Sequence, residues 1–453
     1  MILPPARLSA ALCALLLTAL LLAACGSSAV SPSVTPVPVS PDVVASPSIA
    51  AGPGSVEPAP GSDSVVYAPN PAAITVAIDP GHGGCLDWGV PDPSERGEQL
   101  AEKTLTLDIA RRLRELLEAD GVRVVMTRDG DDALAGDDYP QLGCEGPDWR
   151  DVNGDGEAGF DPEGHTRTRD ELQARLDLAN LSRADALVSI HINSPSEGGR
   201  RIEVAFTETF YTDETPWGPT GTERLAEHAQ RGVVERLGEI ATYDRGDRGI
   251  TAHNFYLVAP PLLEETAERP NRWAQPTRGG LMPVILAEVG SITLREEHDL
   301  LASERGQDAV ATGLFDGLAA YLGAREAAAR IELDGVAGTP EAVPGDGPPF
   351  WPEVVPDEPL RLRVTNTGTR AWSDAVLVGG WSTTDEPYLR AAPDALEALV
   401  ELPDLAPGES ITLEIELPAP VGGRAVAWIS LRNRSTNLAD EGSPALQVST
   451  RAP

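Results

Sequence analysis

"ITVAIDPGHGG", residues 74–84, is an apolar run that ends in a histidine set among glycines. Its first six residues are short-range, apolar and partly β-branched, which reads as a buried strand. A turn after that strand needs the glycines but not the imidazole, so His82 calls for partners elsewhere in the chain. Outward from this strand, residues 72–325 alternate apolar runs with helical patterns, the signature of an α/β domain. LAEKTLTLDIARRLRELLEADG places Leu105, Ile109, Leu113, Leu116 and Leu117 on one helical face and stops at Gly121. More strands are expected at VRVVMTR, ALVSIHIN, RIEVAFTET and MPVILAEVG. More helices are expected at DELQARLDLANLSRA, at TERLAEHAQRGVVERLGEI and along the segment carrying Val310, Leu314, Leu318 and Tyr321.

The flanks differ in kind. Residues 1–25 carry one basic residue, Arg7, then LSAALCALLLTALLLAAC, an apolar stretch too short to span a membrane comfortably. Leu22-Ala23-Ala24-Cys25 resembles a bacterial lipobox, which implies export and a lipid anchor at Cys25 that holds the protein to a membrane in the cell envelope, outside the cytoplasm. Residues 26–71 are Pro/Ser/Ala/Gly-rich and read as a disordered, extended tether. Residues 326–355 return to Ala, Pro and Gly and are expected to be a linker. From 356 to 453 the pattern changes to period two, as in SITLEIEL with Ile411, Leu413, Ile415 and Leu417 alternating with polar residues. With LRLRVTNTG, AVLVGGW, RAVAWISL and ALQVS it predicts a small all-β sandwich.

Asp and Glu number 70 against 35 Lys and Arg, a formal charge of −35, which argues against nucleic acid and anionic lipid surfaces as partners. The only lysine is Lys103. Of the cysteines, Cys13 leaves with the signal and Cys25 carries lipid, so Cys85 and Cys144 remain, and a pair in an exported domain is expected to be bonded.

His82 follows one strand, His191 closes another in LVSIHIN, Glu102 opens the first helix and Glu288 ends a wholly apolar run. Strand C-termini of an α/β sheet gather at one edge, where ligands bind. Two histidines and a carboxylate are a common protein shell for catalytic zinc, with a fourth position left open. A metal there makes water acidic and polarises a carbonyl, and a further carboxylate then moves the proton to a leaving nitrogen. Each residue also has a plainer role open to it: a turn histidine, a capping Glu, a core-edge histidine, a strand-end Glu.

The stretches ITVAIDPGHGG, EKTLTLDIARRL, ADALVSIHIN and PVILAEVGSITLREEHDLL together resemble the zinc-dependent N-acetylmuramoyl-L-alanine amidases of the Amidase_3 type, over residues 74 to 323. The resemblance implies a mixed sheet flanked by helices and cleavage of the amide between the lactyl group of muramic acid and L-alanine in peptidoglycan. It implies Zn2+ held by His82, Glu102 and His191, with Glu288 as the catalytic glutamate. Asp79, Arg175 and Arg248 also match family positions, as groups that orient a ligand or touch substrate.

The segment 131–168 is longer than the family's usual run. Within it DVNGDGEAGFDPE opens like a calcium loop, with Asp151, Asn153, Asp155 and then Gly156, but position twelve is Pro162, flanked by Asp161 and Glu163. Ca2+ and a solvated acidic turn are both open for it. A Cys85–Cys144 bridge would pin this insert beside the site. VTNTGTRAW, DLAPGES and VAWISLRN resemble an Ig-like domain, with Trp372 and Trp428 expected in its core. The reading is an exported, lipid-anchored peptidoglycan amidase for wall remodelling. Its rivals are another zinc amidohydrolase or carboxypeptidase acting on wall peptides, and a non-catalytic wall-binding lipoprotein; a protein activator stays open.

Overall fold

The computed structural model describes residues 74–84, 87–93, 95–134, 152–153, 169–214, 220–259, 279–334, 359–383, 396–417, 425–433, 436–437 and 445–450. The signal and tether, Cys25, Cys85, Cys144, Asp151, Asp155 and Asp161 lie outside the described residues. Among the described residues no helix is long and apolar enough to cross a membrane.

The first strand, β1 (Thr75–Pro80), is buried along its whole length. It is followed by a short 3-10 turn at Glu98–Leu100, α1 (Glu102–Ala119) and β2 (Arg123–Met126). Leu105, Ile109, Leu113 and Leu117 are buried at helical spacing, as their pattern demands, and Leu116 packs against the same core half-buried. The helix stops at Gly121, φ 86°, where the Gly121 and Val122 amides donate to the carbonyls of Glu118 and Leu117. That paired closure is the Schellman arrangement, and it favours glycine at the left-handed position.

Next come α2 (Arg169–Ser182), β3 (Ala186–Asn193), a small hairpin of β4 (Ser196–Glu197) and β5 (Arg200–Arg201), β6 (Phe206–Tyr211), α3 (Thr220–Ile240) and β7 (Gly246–Ala252). The domain closes with β8 (Val284–Ser291), α4 (Arg295–Leu301) and α5 (Glu304–Gly323). The main sheet runs β2-β1-β3-β8-β6-β7, parallel throughout except where β6 meets β8 antiparallel. A mixed sheet flanked by helices is the fold expected. The central strands read as nearly continuous apolar runs because both faces are covered. Ile78, Val188, Ile285 and Val289 belong to a core shared with α1, α3 and α5, while Ala77, Leu187 and Leu286 face Leu176 of α2.

The segment GDRGITA forms β7, an edge strand that is mostly exposed and, among the described residues, pairs with β6. One expectation is corrected here: the segment 326–355, expected to be a linker, contains a strand, for Ala329–Leu333 forms β9.

β9 pairs antiparallel with β10 (Leu360–Asn366), which pairs with β13 (Ser410–Ile415). A second sheet holds β11 (Ala375–Thr383), β12 (Glu397–Glu401), β14 (Ala425–Asn433), β15 (Thr436–Asn437) and β16 (Leu446–Thr450). The two all-β sheets share one apolar core that includes Ile331, Leu362, Trp372, Leu377 and Ile429, and Trp428 is buried as well. Only residues 324–328 separate α5 from β9. Arg325, fully buried, places Nη1 3.0 Å from Asp185 Oδ1, and Asp185 Oδ2 accepts from the Thr75 amide at 2.9 Å. Arg330 of β9 donates to Thr75 Oγ1 at 2.6 Å. The sandwich is thereby tied to the first residue of β1.

Candidate active site

β1 ends at Pro80, yet the Gly81 amide still donates to the Ile190 carbonyl at 2.9 Å. A side chain on Gly81 would meet the His191 ring, since an added Cβ lies 2.5 Å from Cε1. Glycine is therefore required for the imidazole of one strand to lie across the end of its neighbour. The chain then turns at His82, which adopts φ 63° without being glycine. Such a conformation costs roughly 1–3 kcal/mol and persists only where surroundings enforce it. Arg175 is one enforcer: its Nη2 donates to the His82 carbonyl at 2.7 Å and its Nη1 to the Pro80 carbonyl at 2.8 Å.

Three donor atoms converge beyond this turn. His82 Nε2 lies 3.1 Å from Glu102 Oε1, and His191 Nδ1 lies 3.1 Å from His82 Nε2 and 3.2 Å from Glu102 Oε1. Glu102 is buried at the start of α1, where Oε1 accepts from the Ile192 amide at 2.9 Å and Oε2 from the Val90 amide at 2.8 Å. His82 Nδ1 meets Asp87 Oδ1 at 2.7 Å, which leaves Nε2 aimed at the centre.

Burial alone would make His82 harder to protonate, but the carboxylates of Glu102 and Asp87 outweigh it and raise its pKa to about 10. Burial likewise opposes ionisation of Glu102, and His82 and His191 overcome it to hold that carboxyl well below its ordinary range. The cluster thus demands positive charge at its centre. Among the described residues His82, Glu102 and His191 are the group whose donor atoms lie close enough to share a metal ion. Metal–ligand bonds of about 2.0–2.1 Å in a tetrahedron set donors roughly 3.3 Å apart, close to the spacing here. Two nitrogens and one carboxylate oxygen fit a metal with one position open.

Glu288 stands beside this cluster on β8. Its Cα is in register with His191 of β3 on one side and with Glu208 of β6 on the other, so the three side chains share one face of the sheet. Its Oε2 is buried and has no hydrogen-bond partner among the described residues. Burial, then the charges of Glu102 and Glu208, push its pKa well above the ordinary carboxyl value despite His82.

The family model for N-acetylmuramoyl-L-alanine amidase (Amidase_3) matches residues 76–320, over half the chain. The chain belongs to this amidase family. It is 27% identical over 235 residues to the germination-specific N-acetylmuramoyl-L-alanine amidase of Bacillus subtilis (strain 168), covering 52% of this chain and 76% of the relative. It is also similar to N-acetylmuramoyl-L-alanine amidase LytC of the same organism, 26% identical over 236 residues, covering 51% of this chain and 34% of that one. Among solved structures it is similar to N-acetylmuramoyl-L-alanine amidase AmiC2 of Nostoc punctiforme, at 28% identity and TM-score 0.36, covering 55% of this chain and 97% of that one. The chain is accordingly a peptidoglycan amidase.

Within the amidase domain, Asp79 is fully buried and is not one of the three residues whose donor atoms converge. It accepts from Ser189 Oγ at 2.6 Å, from Thr127 Oγ1 and from Arg175 Nη1 at 2.9 Å. Arg175 joins it to Glu171 and to the His82 carbonyl, so both residues hold the turn and neither faces solvent. Arg248 lies apart from them on β7, half-exposed, beside Glu208. Asn153 is buried, and its amide donates to Asp170 Oδ1 at 2.9 Å. His253 follows the end of β7 and is exposed. His298 sits on α4 and is buried, with Nε2 2.8 Å from the Leu100 carbonyl.

Three groups were not assigned roles from sequence. Asp87 was hidden because CLDWG reads as loop; a carboxylate five residues after a histidine was its signal. Lys103, noted only for its rarity, is buried: Nζ donates to the Gly84 carbonyl at 2.9 Å, to Asp131 Oδ2 at 2.7 Å and to Glu98. Asp131 Oδ1 also accepts from the Gly84 amide at 2.7 Å, so this lysine anchors the turn after His82 from the far side. Glu208 shares a face with Phe206 and Phe210, and its signal was a charge set between aromatics in AFTETF.

Proposed function

We propose that this amidase is exported, anchored by lipid at Cys25, and zinc-dependent, and that it cleaves the amide between the lactyl group of muramic acid and L-alanine during wall remodelling. The observation that carries the zinc reading is the convergence of His82 Nε2, Glu102 Oε1 and His191 Nδ1 within 3.2 Å of one another. Zn2+ bound there would supply a Lewis acid that polarises the amide carbonyl and lowers the pKa of water.

The chain's own groups do the rest. Asp87 fixes the proton of His82 on Nδ1 and so keeps Nε2 free to ligate. Glu102 contributes negative charge without reorganising, because two backbone amides already hold it. Glu288 receives the proton of the attacking water and returns it to the leaving nitrogen. A buried carboxyl whose pKa is raised by burial and by the charge of Glu102 suits both steps, and its oxygen, unpartnered among the described residues, is available for them. Export and anchoring rest on the Leu22–Cys25 motif and the apolar segment before it.

The test is to incubate the purified protein with isolated peptidoglycan, with and without a chelator, and to read soluble products by mass spectrometry. Free stem peptides beginning with alanine should appear, vanish with chelator, return with Zn2+ and be absent in Glu288→Gln. Peptides shortened only at their far end would overturn this reading in favour of a carboxypeptidase.

A further inference from the structure

Beyond Glu288 the same face of the sheet continues onto β6 and β7. Glu208 is the register neighbour of Glu288, and Thr251 of β7 donates to Glu208 Oε1 at 3.0 Å. Arg248 Nη1 lies 3.6 Å from Glu208 Oε2, and its guanidinium carbon sits 3.5 Å from the centroid of the buried Phe206 ring. Stacking on the ring and contact with Glu208 hold the guanidinium plane, while the side chain stays 46% exposed. Its remaining N–H donors therefore face solvent in a fixed fork, the geometry that suits a carboxylate.

The setting sharpens this. Glu288, Glu208, Glu102 and Asp87 make the rim acidic in a chain already strongly acidic overall. Away from the metal centre, Arg248 is a cation among the described residues of this face that can meet an anionic substrate group. Adjacent strands lie about 4.8 Å apart and β6 stands between β8 and β7, so Arg248 starts two strand spacings, roughly 10 Å, from Glu288. An extended peptide covers that distance in about two or three residues at ~3.3 Å each.

Resting on the amidase reading, we infer that Arg248, oriented by Glu208 and Phe206, binds a carboxylate on the second or third residue of the stem peptide and selects acidic stem peptides over amidated ones. Glu208 is a positioning residue here. With Thr251 holding one of its oxygens, it keeps the guanidinium from swinging away from the rim.

The test compares muramoyl-alanyl-glutamate carrying a free carboxylate at the second residue with its carboxamide, and the corresponding pair differing at the third. Turnover is measured on the full-length zinc-loaded protein, and binding by calorimetry on Glu288→Gln. The free acid should be favoured about 10–30-fold in one of the two pairs, chiefly through KM. Arg248→Gln should abolish that preference by raising KM for the acid, with kcat moving far less. Arg248→Lys should retain part of the preference, and thermal melts of both variants confirm folding. Equal losses on acid and amide in Arg248→Gln, or no preference in the parent protein, would overturn the subsite. Wall cleavage without acid preference removes the subsite and leaves the amidase reading. Tighter acid binding that depends on Arg248, without wall cleavage, does the reverse.

Discussion

His82 and Glu102 are each gripped by second groups, the first by Asp87 and Arg175, the second by two backbone amides, whereas Glu288 on the adjoining strand keeps an oxygen with no partner. The difference lies in what each half of the rim must do. Ligands to a metal lose affinity when they wander, so their supports are dense. A group that takes and returns a proton needs an open valence, and the fold leaves that one buried oxygen unsatisfied at a cost in stability.

The largest expected effect comes from attacking the gripped half. Arg175→Met leaves Asp79 and Glu171 as buried carboxylates without their cation, and unfolding in urea should show a loss of about 3–5 kcal/mol. Asp87→Asn removes the acceptor that fixes His82, and chelator competition should report metal affinity weaker by about 10–100-fold with the fold intact. On the open half the sign reverses. Glu288→Leu should abolish wall cleavage yet stabilise the metal-free protein by about 1 kcal/mol, seen as a small rise in melting temperature. A fall instead would mean that Glu288 is gripped after all, and the contrast between the halves would fail.

The smallest effect is in pH. Burial opposes ionisation of Asp79, but Arg175 and the hydroxyls of Ser189 and Thr127 prevail and hold its carboxyl below the ordinary value. The stability it contributes is therefore complete above the unfolded pKa of about 3.9 and is lost as pH falls through the lower folded value. Urea midpoints of the parent protein and Asp79→Asn should stay a constant distance apart above about pH 5 and draw together in stronger acid.

The central strands and α1 were legible because apolar runs and i, i+4 spacing leave few alternatives. His82, Glu102, His191 and Glu288 were legible as members of motifs, but not as neighbours, since only the pairing of β1 with β3 and β3 with β8 brings them together. Edge strand β7 was missed because an exposed edge needs no apolar alternation and its pairing is dictated by β6. Asp87 and Lys103 were not assigned roles for a related reason: a residue that holds a ligand or a turn through side-chain hydrogen bonds, whether in a loop or in the first turn of a helix, has no periodicity to betray that role. The burial of His298 was not legible because nothing local to its helix announces Arg96 and Leu100, which arrive from far along the chain.

The short joint between α5 and β9 bears on how this enzyme can be cut and recombined. A fragment ending near residue 325 would discard Arg330, whose bond to Thr75 steadies the first strand of the catalytic sheet. One ending at 355 would keep β9 but strip it of β10, leaving Ile331 and Leu333 on a bare edge that invites self-association. The two halves are thus not interchangeable cassettes: whatever turns the sandwich also turns the catalytic rim, as a keel sets the heading of a hull.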